Sequence, residues 1–255
     1  MSIHKKLSSE IIMNTVWAET ALLPTGWASG VRVDIDASGQ IIDVQKNVPA
    51  VGEQTPFLLP SPVNAHSHAF QRAMAGLTEC RGPNPKDSFW TWRQLMYRFL
   101  DQLTPEHVEA ITAFVQMEML EAGYAANIEF HYLHHQPSGV PYDNLAETSE
   151  RIAAATDQTG IGLCLLPVHY EFGGCDGRAL TAGQIRFGND LNRFKELHGS
   201  VVSTLSSLPK DTGFGVAPHS LRAVSVENLQ SYNALFPTGP IHMHLAEQLP
   251  EVDEV

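Results

Sequence analysis

The sequence has few of the features that mark secreted or membrane proteins. Its 255 residues include three cysteines, Cys80, Cys164 and Cys175, an odd number without the spacing of a metal or redox motif. This argues against a disulfide framework and favours reduced thiols. No stretch approaches the roughly 18 uninterrupted apolar residues of a membrane-spanning helix, and no apolar signal segment follows residues 1–6. We therefore expect a cytoplasmic protein without a membrane partner.

Basic residues are also scarce. Lys and Arg number 16 against 28 Asp and Glu, which gives a formal net charge of −12, and they are scattered along the chain. A clustered basic patch is the electrostatic signature of a protein that binds nucleic acid. Nucleic acid is therefore not expected as a partner, and an anionic substrate would have to be held by a few local arginines.

Apolar residues are plentiful enough for a sizeable core. They make up 43% of the chain, which suits one large or two smaller domains. Over residues 16–43 short β-type segments alternate with turns, such as the one at 37–39. From Phe57 onward, short apolar runs alternate with amphipathic stretches, which predicts βα units around a parallel sheet. We therefore expect a small β domain over residues 1–56 and an α/β domain over residues 57–255.

Helix and strand signals in the second domain predict five strands. The clearest helix has Thr104 as its N-cap and Pro105 at its first position, and Gly123 ends it. Further helices are predicted over 144–156, 185–197 and 226–235. The strands are predicted over 58–63, 126–130, 161–168, 213–217 and from near 240 to His244. Reactive side chains follow nearly every strand, as they do at the C-terminal face of a β/α barrel.

Two of these strand ends carry side chains that bind metals. His66 and His68 stand at i and i+2 of an extended segment, so both rings point the same way and can reach one ion. His244 and Glu247 follow the fifth strand and add an imidazole and a carboxylate. Metal-assisted hydrolysis uses this combination, because a divalent ion lowers the pKa of bound water toward about 7 while a carboxylate moves the proton.

Four longer stretches carry a specific resemblance. They are His-Ser-His-Ala-Phe-Gln-Arg-Ala-Met at 66–74, Ser-Phe-Trp-Thr-Trp-Arg at 88–93, Glu-Phe-His-Tyr-Leu-His-His at 129–135 and Ala-Pro-His-Ser-Leu-Arg at 217–222. With them the chain resembles, over essentially its whole length, the formimidoylglutamate deiminases of the amidohydrolase superfamily. The resemblance implies an α/β fold, a metal-dependent-hydrolase-type TIM (β/α) barrel. This barrel is incomplete here, with about five strands, and a small N-terminal β-sandwich-like domain precedes it.

The resemblance also implies an activity, the hydrolysis of N-formimidoyl-L-glutamate to N-formyl-L-glutamate and ammonia in histidine degradation, with one Zn²⁺ per site. His66, His68 and His244 match the metal ligands. Glu247 matches the carboxylate that moves a proton from water to the departing nitrogen. The residues that match substrate-binding positions are Gln71, Arg93, Tyr132, His219 and Arg222. Two arginines suit this substrate, because it has two carboxylates and guanidinium pairs with carboxylate bidentately.

Other interpretations stay open. The metal could be iron, nickel or manganese, which also bind sites of imidazole and carboxylate. A purine or pyrimidine aminohydrolase shares the histidine motifs, but a neutral heterocycle gives no reason for Arg93 and Arg222. His131, His134 and His135 are expected in a solvated strand-to-helix loop and not at a second metal site. The sequence does not specify the oligomeric state, for which a homodimer is one outcome.

The sequence departs from the resemblance in one respect. The family implies a further histidine after strand six and an aspartate after strand eight, and no residue here matches either. We therefore expect this chain to be the N-terminal part of such an enzyme, which in isolation binds zinc weakly and turns over little or no substrate. The alternative from a different class is a non-catalytic remnant, or a binding subunit completed by another polypeptide.

Overall fold

The structure is a computed structural model that describes residues 12–79 and 89–255. The chain divides into two compact units between Ser61 and Pro62. The boundary expected after residue 56 falls inside the strand Glu53–Leu58, which belongs to the first unit. Within the described ranges, no helix is long and apolar enough to cross a membrane.

The first unit is built on a four-stranded sheet. Its strands are β1 (Ile12–Leu23), β2 (Gly26–Asp36), β3 (Ile41–Gln45) and β4 (Glu53–Leu58), in the order β3-β2-β1-β4. Strands β1 and β2 form an antiparallel hairpin, whereas β4 runs parallel to β1. One face buries a small core of Ala18, Ala21, Val31 and Val33. The described residues of this unit supply one sheet, so the sandwich-like second layer stays a prediction.

The predicted turn at 37–39 is present between β2 and β3. The Asp36 carboxylate accepts hydrogen bonds from the backbone N–H groups of Ser38 and Gln40, at 2.8 and 3.0 Å. Gly39 takes a left-handed φ of +83°, a conformation that costs glycine little because it has no Cβ. An aspartate before a glycine turn is therefore the local signal that fixes this hairpin.

The second unit contains a parallel sheet. Its strands are β5 (Val63–Ser67), β6 (Ala126–His131), β7 (Gly162–His169) and β8 (Gly213–Phe214), in that order, and β9 (Ala217–Pro218) also pairs with β7. The first strand was predicted over 58–63 and begins instead at Val63. Leu58 is apolar, but it pairs in register with Ala21 in the first unit.

The last two predicted strands are shorter than expected. The stretch 213–217 forms two separate two-residue strands, β8 and β9, on either side of Gly215. The stretch ending at His244 makes isolated parallel bridges, Val216 with Ile241 and Ser220 with His244, and no continuous ladder. These bridges still place the segment after β9, which contains Ser220, beside the segment that contains His244.

The helices of this unit agree with the predictions in most positions. They are α1 (Phe89–Leu100), α2 (Pro105–Glu121), α3 (Glu147–Thr159), α4 (Leu191–Leu205), α5 (Val226–Leu235) and α6 (Leu249–Glu254), with 3₁₀ turns at Ala69–Met74 and Ile185–Phe187. Thr104 caps α2 as predicted, and the His107 side chain accepts from the Thr104 N–H in return. The helix predicted over 185–197 starts later, because Asp190 caps α4. Helix α1 was not predicted.

The core of the second unit is one cluster of buried apolar side chains. It includes Phe130, Leu165 and Leu166 from the strands and Phe194 and Leu197 from α4, all of them fully buried. Burial of each such side chain stabilises the fold by roughly 1.5–3 kcal/mol. The core therefore fixes the strands whose C-terminal ends carry the polar groups described next.

Candidate metal centre and active site

Three imidazole rings converge where the strands of the parallel sheet end. His66 lies in β5, His68 follows it, and His244 follows the bridge at Ile241. The Nε2 atom of His66 is 3.0 Å from Nε2 of His68 and 3.1 Å from Nε2 of His244. Among the described residues, these three form the group of ligand atoms that could hold a metal ion, with all atoms within 4.8 Å of one another.

The His68 ring is oriented for coordination. Its Nδ1 lies 2.9 Å from the backbone carbonyl oxygen of Phe130, and because a carbonyl only accepts, Nδ1 carries the proton. The lone pair of the neutral ring is therefore on Nε2, the atom that faces the other two rings. Burial lowers the pKa of His68 to about 3, which keeps the ring neutral. A hydrogen bond from the second nitrogen of a histidine ligand is the usual way in which a protein fixes such a ring.

The other two rings share this electrostatic environment. Burial, then the neighbouring His66 ring, lowers the pKa of His244 to about 4, and burial also lowers the pKa of His66. Zinc–nitrogen bonds of about 2.0–2.1 Å place two nitrogen ligands of one ion roughly 3–3.4 Å apart. The two Nε2 separations from His66, 3.0 Å to His68 and 3.1 Å to His244, fall in this range, and neutral imidazoles are the donor form that a divalent ion requires. The residues present thus fit a metal such as zinc.

Glu247 and Arg222 form an ion pair beside the histidines. Arg222 Nη2 donates to Glu247 Oε2 at 2.8 Å, and the two side chains are 13% and 33% exposed. The Arg222 side chain is therefore largely buried, while the carboxylate keeps access to the cavity. The charge of Glu247 also acts on His66, where it opposes the effect of burial on the pKa.

Gln71, Tyr132 and His219 line the same cavity. Gln71 Nε2 donates to the Tyr132 hydroxyl at 2.9 Å, and burial raises the pKa of Tyr132. His219 lies between the rings of Tyr170 and His244, with centroids 4.5 and 4.9 Å away. Burial, followed by the neighbouring His244, holds the pKa of His219 well below its usual value. These groups are uncharged hydrogen-bonding partners at neutral pH.

Arg93 reaches the cavity from α1. Its Nε donates to the Tyr97 hydroxyl one helical turn later, and its guanidinium lies over the Tyr97 ring, 5.1 Å from the centroid. Burial raises the pKa of Tyr97 to about 12, so the hydroxyl stays protonated. Gly183 allows this arrangement, because a Cβ at that position would lie 2.2 Å from the Tyr97 ring.

All nine predicted site residues surround one cavity of about 440 Å³. The sequence alone missed five further lining residues, which are Trp92, Met96, Tyr97, Tyr170 and Phe187. Three of them lie on α1, the helix that was not predicted. The available signal was the i, i+4 spacing of Trp92 with Met96 and of Arg93 with Tyr97. On a helix this spacing places Met96 and Tyr97 on the face that carries the arginine.

The prediction of a solvated loop for His131, His134 and His135 was wrong. The three residues are at most 1% exposed. Each ring instead pairs through Nε2 with a neighbouring segment. His131 pairs with Thr148 Oγ1 and His134 with the Val168 carbonyl. His135 pairs with Asn189 Oδ1 and the Gly188 carbonyl. They are structural links between βα units. The expectation that they make no second metal site is consistent with their bonds.

Known proteins are similar to this chain in sequence. A family model described as "Formimidoylglutamate deiminase HutF, N-terminal domain" matches residues 13–55. A formimidoylglutamate deiminase from Pseudomonas aeruginosa is 44% identical over 245 residues, which are 95% of this chain and 53% of that protein. The chain is thus similar to a formimidoylglutamate deiminase over nearly its whole length and spans about half of that protein.

Solved structures of hydrolases share this fold. The crystal structure of an amidohydrolase from Brucella melitensis is 46% identical with a TM-score of 0.89, and the match covers 95% of this chain and 54% of that one. A mutant atrazine chlorohydrolase from Arthrobacter aurescens TC1, solved with zinc and atraton, shares the fold at a TM-score of 0.68 and 14% identity, over 93% and 54% of the two chains. This chain therefore spans about half the length of the relatives it matches.

Proposed function

We propose that this cavity belongs to a zinc-dependent deiminase that hydrolyses N-formimidoyl-L-glutamate to N-formyl-L-glutamate and ammonia. The observation that carries the proposal is the convergence of three imidazole Nε2 atoms beside two arginines and a carboxylate in one cavity. The 44% identical relative is a formimidoylglutamate deiminase, and its reaction needs these groups together. The proposal includes a closed barrel with the further histidine and aspartate that the family implies, and a sandwich-like first domain.

His66, His68 and His244 would hold the ion. Zinc at such a centre supplies Lewis acidity, which lowers the pKa of water to about 7. The role of the chain itself is to keep all three rings neutral and facing one point. Burial is the largest cause of the lowered pKa of each of the three rings, and the hydrogen bond from His68 Nδ1 to the Phe130 carbonyl orients the His68 ring.

Arg93 and Arg222 would bind the two carboxylates of the substrate. Guanidinium groups bind carboxylates with two parallel hydrogen bonds, which fixes orientation as well as position. Arg93 is held by Tyr97, and Arg222 by Glu247. With the carboxylates anchored, the formimidoyl group extends toward the histidines, and Gln71, Tyr132 and His219 supply neutral hydrogen bonds to the polar atoms between.

Glu247 would transfer the proton. Hydrolysis adds the oxygen of water to the formimidoyl carbon and breaks the bond from that carbon to the terminal nitrogen, which leaves as ammonia. Both protons of the water end on this nitrogen, and a carboxylate beside the reacting carbon can accept them and deliver them one after the other. Glu247 is one-third exposed to the cavity and lies near His66, so it can reach both ends of the transfer.

Calorimetric titration of the zinc-loaded chain with N-formimidoyl-L-glutamate tests the proposal. Arg93→Met and Arg222→Met should each weaken binding roughly 10- to 100-fold, the effect of losing a charged hydrogen bond. Arg151→Met is the matched control, because Arg151 pairs with Glu109 and Glu147 on α2 and α3, away from the cavity. Absence of binding, or equal binding by all variants, would contradict the proposal.

A parallel assay of released ammonia separates an enzyme from a binding subunit. Because the histidine and aspartate that the family implies have no match here, we expect substrate to bind while ammonia release stays near background. Release that requires zinc and that Glu247→Gln abolishes would assign the full chemistry to this chain. It would overturn the expectation that the chain is catalytically incomplete.

A further inference from the structure

Glu251 is a buried carboxylate beside the candidate active site. It lies on α6, one helical turn after Glu247, and only 2% of it is exposed. Glu254 on the same short helix is partly exposed and pairs with Arg178. Helix α6 holds three acidic residues, Glu251, Asp253 and Glu254, and of these only Glu251 is buried.

The Glu251 carboxylate contacts two residues that the proposed function uses. Its Oε2 accepts a hydrogen bond from the backbone N–H of Glu247 at 2.9 Å. The same oxygen lies 3.4 Å from Nε of Arg222, an ion-pair distance. Glu251 Oε1 is buried and has no hydrogen-bond partner among the described residues. Burying such an oxygen is costly, so the contacts of Oε2 have to offset this cost.

The backbone in front of Glu247 is strained. Ala246 has a left-handed φ of +53°, which costs a residue with a Cβ about 1–2 kcal/mol. Such a conformation persists only when surrounding contacts hold it in place. The hydrogen bond from the Glu247 N–H to Glu251 is the contact directly after the strained residue, so it fixes the direction in which the Glu247 side chain leaves the backbone.

We propose that Glu251 is a positioning residue, which holds the backbone of Glu247 and the guanidinium of Arg222 in register with each other. The inference rests on the proposed function for the roles of those two residues. Through one oxygen, Glu251 holds the backbone N–H of Glu247 and faces the buried Nε of Arg222, while Nη2 of Arg222 pairs with Glu247. Glu251 itself touches no reacting atom.

Hydrogen exchange of the Glu247 amide tests the positioning directly and needs no substrate. In the ¹⁵N-labelled chain, Glu251→Ala should speed exchange of this amide at least tenfold. Glu251→Asp, which keeps the charge but withdraws the oxygen by one methylene, should do the same. Glu251→Gln retains an acceptor and should keep the amide protected, as should the control Glu254→Gln. Unchanged exchange in the folded Glu251→Asp variant would overturn the proposal.

Substrate titration of the same variants separates positioning from a merely structural role. Glu251→Gln removes the charge that faces Arg222, so binding of N-formimidoyl-L-glutamate should weaken about tenfold while the midpoint of thermal unfolding stays unchanged. A folded Gln variant with wild-type affinity would overturn the Arg222 part of the proposal. If the wild-type chain binds no substrate, the proposed function fails, and the exchange measurement still decides whether Glu251 holds Glu247.

Discussion

Acidification should destabilise the chain through histidines that lie outside the metal centre. His131 and His169 are at most 1% exposed, and their rings pair with Thr148 Oγ1 and the Tyr232 hydroxyl. Burial lowers the pKa of His131 to about 3 and that of His169 to about 4, whereas the unfolded chain has the ordinary value near 6.5. Below pH 6.5 the unfolded state therefore binds protons that the folded state excludes.

The size of the effect follows from proton linkage. Each excluded proton gives the free energy of unfolding a slope of about 1.4 kcal/mol per pH unit. Between pH 6.5 and 5.0, His131 and His169 would each remove about 1.6 kcal/mol of stability, because the unfolded rings are half protonated at pH 6.5 and both folded-state pKa values lie below this window. A loss of about 3 kcal/mol is a large part of the roughly 5–15 kcal/mol typical of folded proteins.

Urea unfolding of the metal-free chain between pH 5.0 and 6.5 measures this slope. His131→Gln keeps a polar atom near the position of Nε2, and His169→Asn keeps one near Nδ1. Each variant should reduce the slope by up to about 1.4 kcal/mol per pH unit, and the double variant by the sum. A wild-type slope in both single variants would refute the reasoning, because it would mean that the two rings have the same pKa in the folded and unfolded states.

Three further substitutions test other parts of the structure. Gly183→Ala should lower the free energy of unfolding by about 1–3 kcal/mol in urea titrations, because its Cβ would lie 2.2 Å from the Tyr97 ring; wild-type stability would contradict this. Ala246→Gly should raise the thermal midpoint, because glycine adopts the φ of +53° without the cost of a Cβ; a lower midpoint would count against strain there. Glu129→Gln should stabilise the chain at pH 8 more than at pH 5, because burial raises the pKa of Glu129 to about 7 and its charged form is unfavourable above that pH. Equal effects of Glu129→Gln at both pH values would rule this out.

The parts of the site that depend on local sequence could be predicted. The i, i+2 spacing of His66 and His68 places both rings on one side of a strand whatever the rest of the chain does. The cap at Thr104 and the turn after Asp36 are likewise local, because their hydrogen bonds join residues two to four positions apart. His244 and Glu247 were predicted because they follow a strand, and resemblance supplied the five substrate-binding positions. The structure brings all nine residues around one cavity.

Features that depend on tertiary contacts could not be predicted. Leu58 reads as the start of the first barrel strand, but its partner is Ala21 in the first unit. The close packing of Gly183 against Tyr97 joins residues far apart in sequence. The role of Glu251 depends on a short helix that returns its carboxylate to the Glu247 N–H. The burial of His131 could not be read from the local sequence, because the ring is paired with Thr148, which lies on α3.

Zinc binding by the histidine variants tests the central claim most directly. Equilibrium dialysis of the metal-free chain against increasing zinc concentrations, with metal analysis of the protein, should approach one ion per chain. His66→Asn, His68→Asn and His244→Asn should each weaken binding at least tenfold, while His198→Asn on α4, outside the centre, should leave it unchanged. Stoichiometric zinc binding that survives all three substitutions with unaltered affinity would contradict the assignment of these rings as a metal centre.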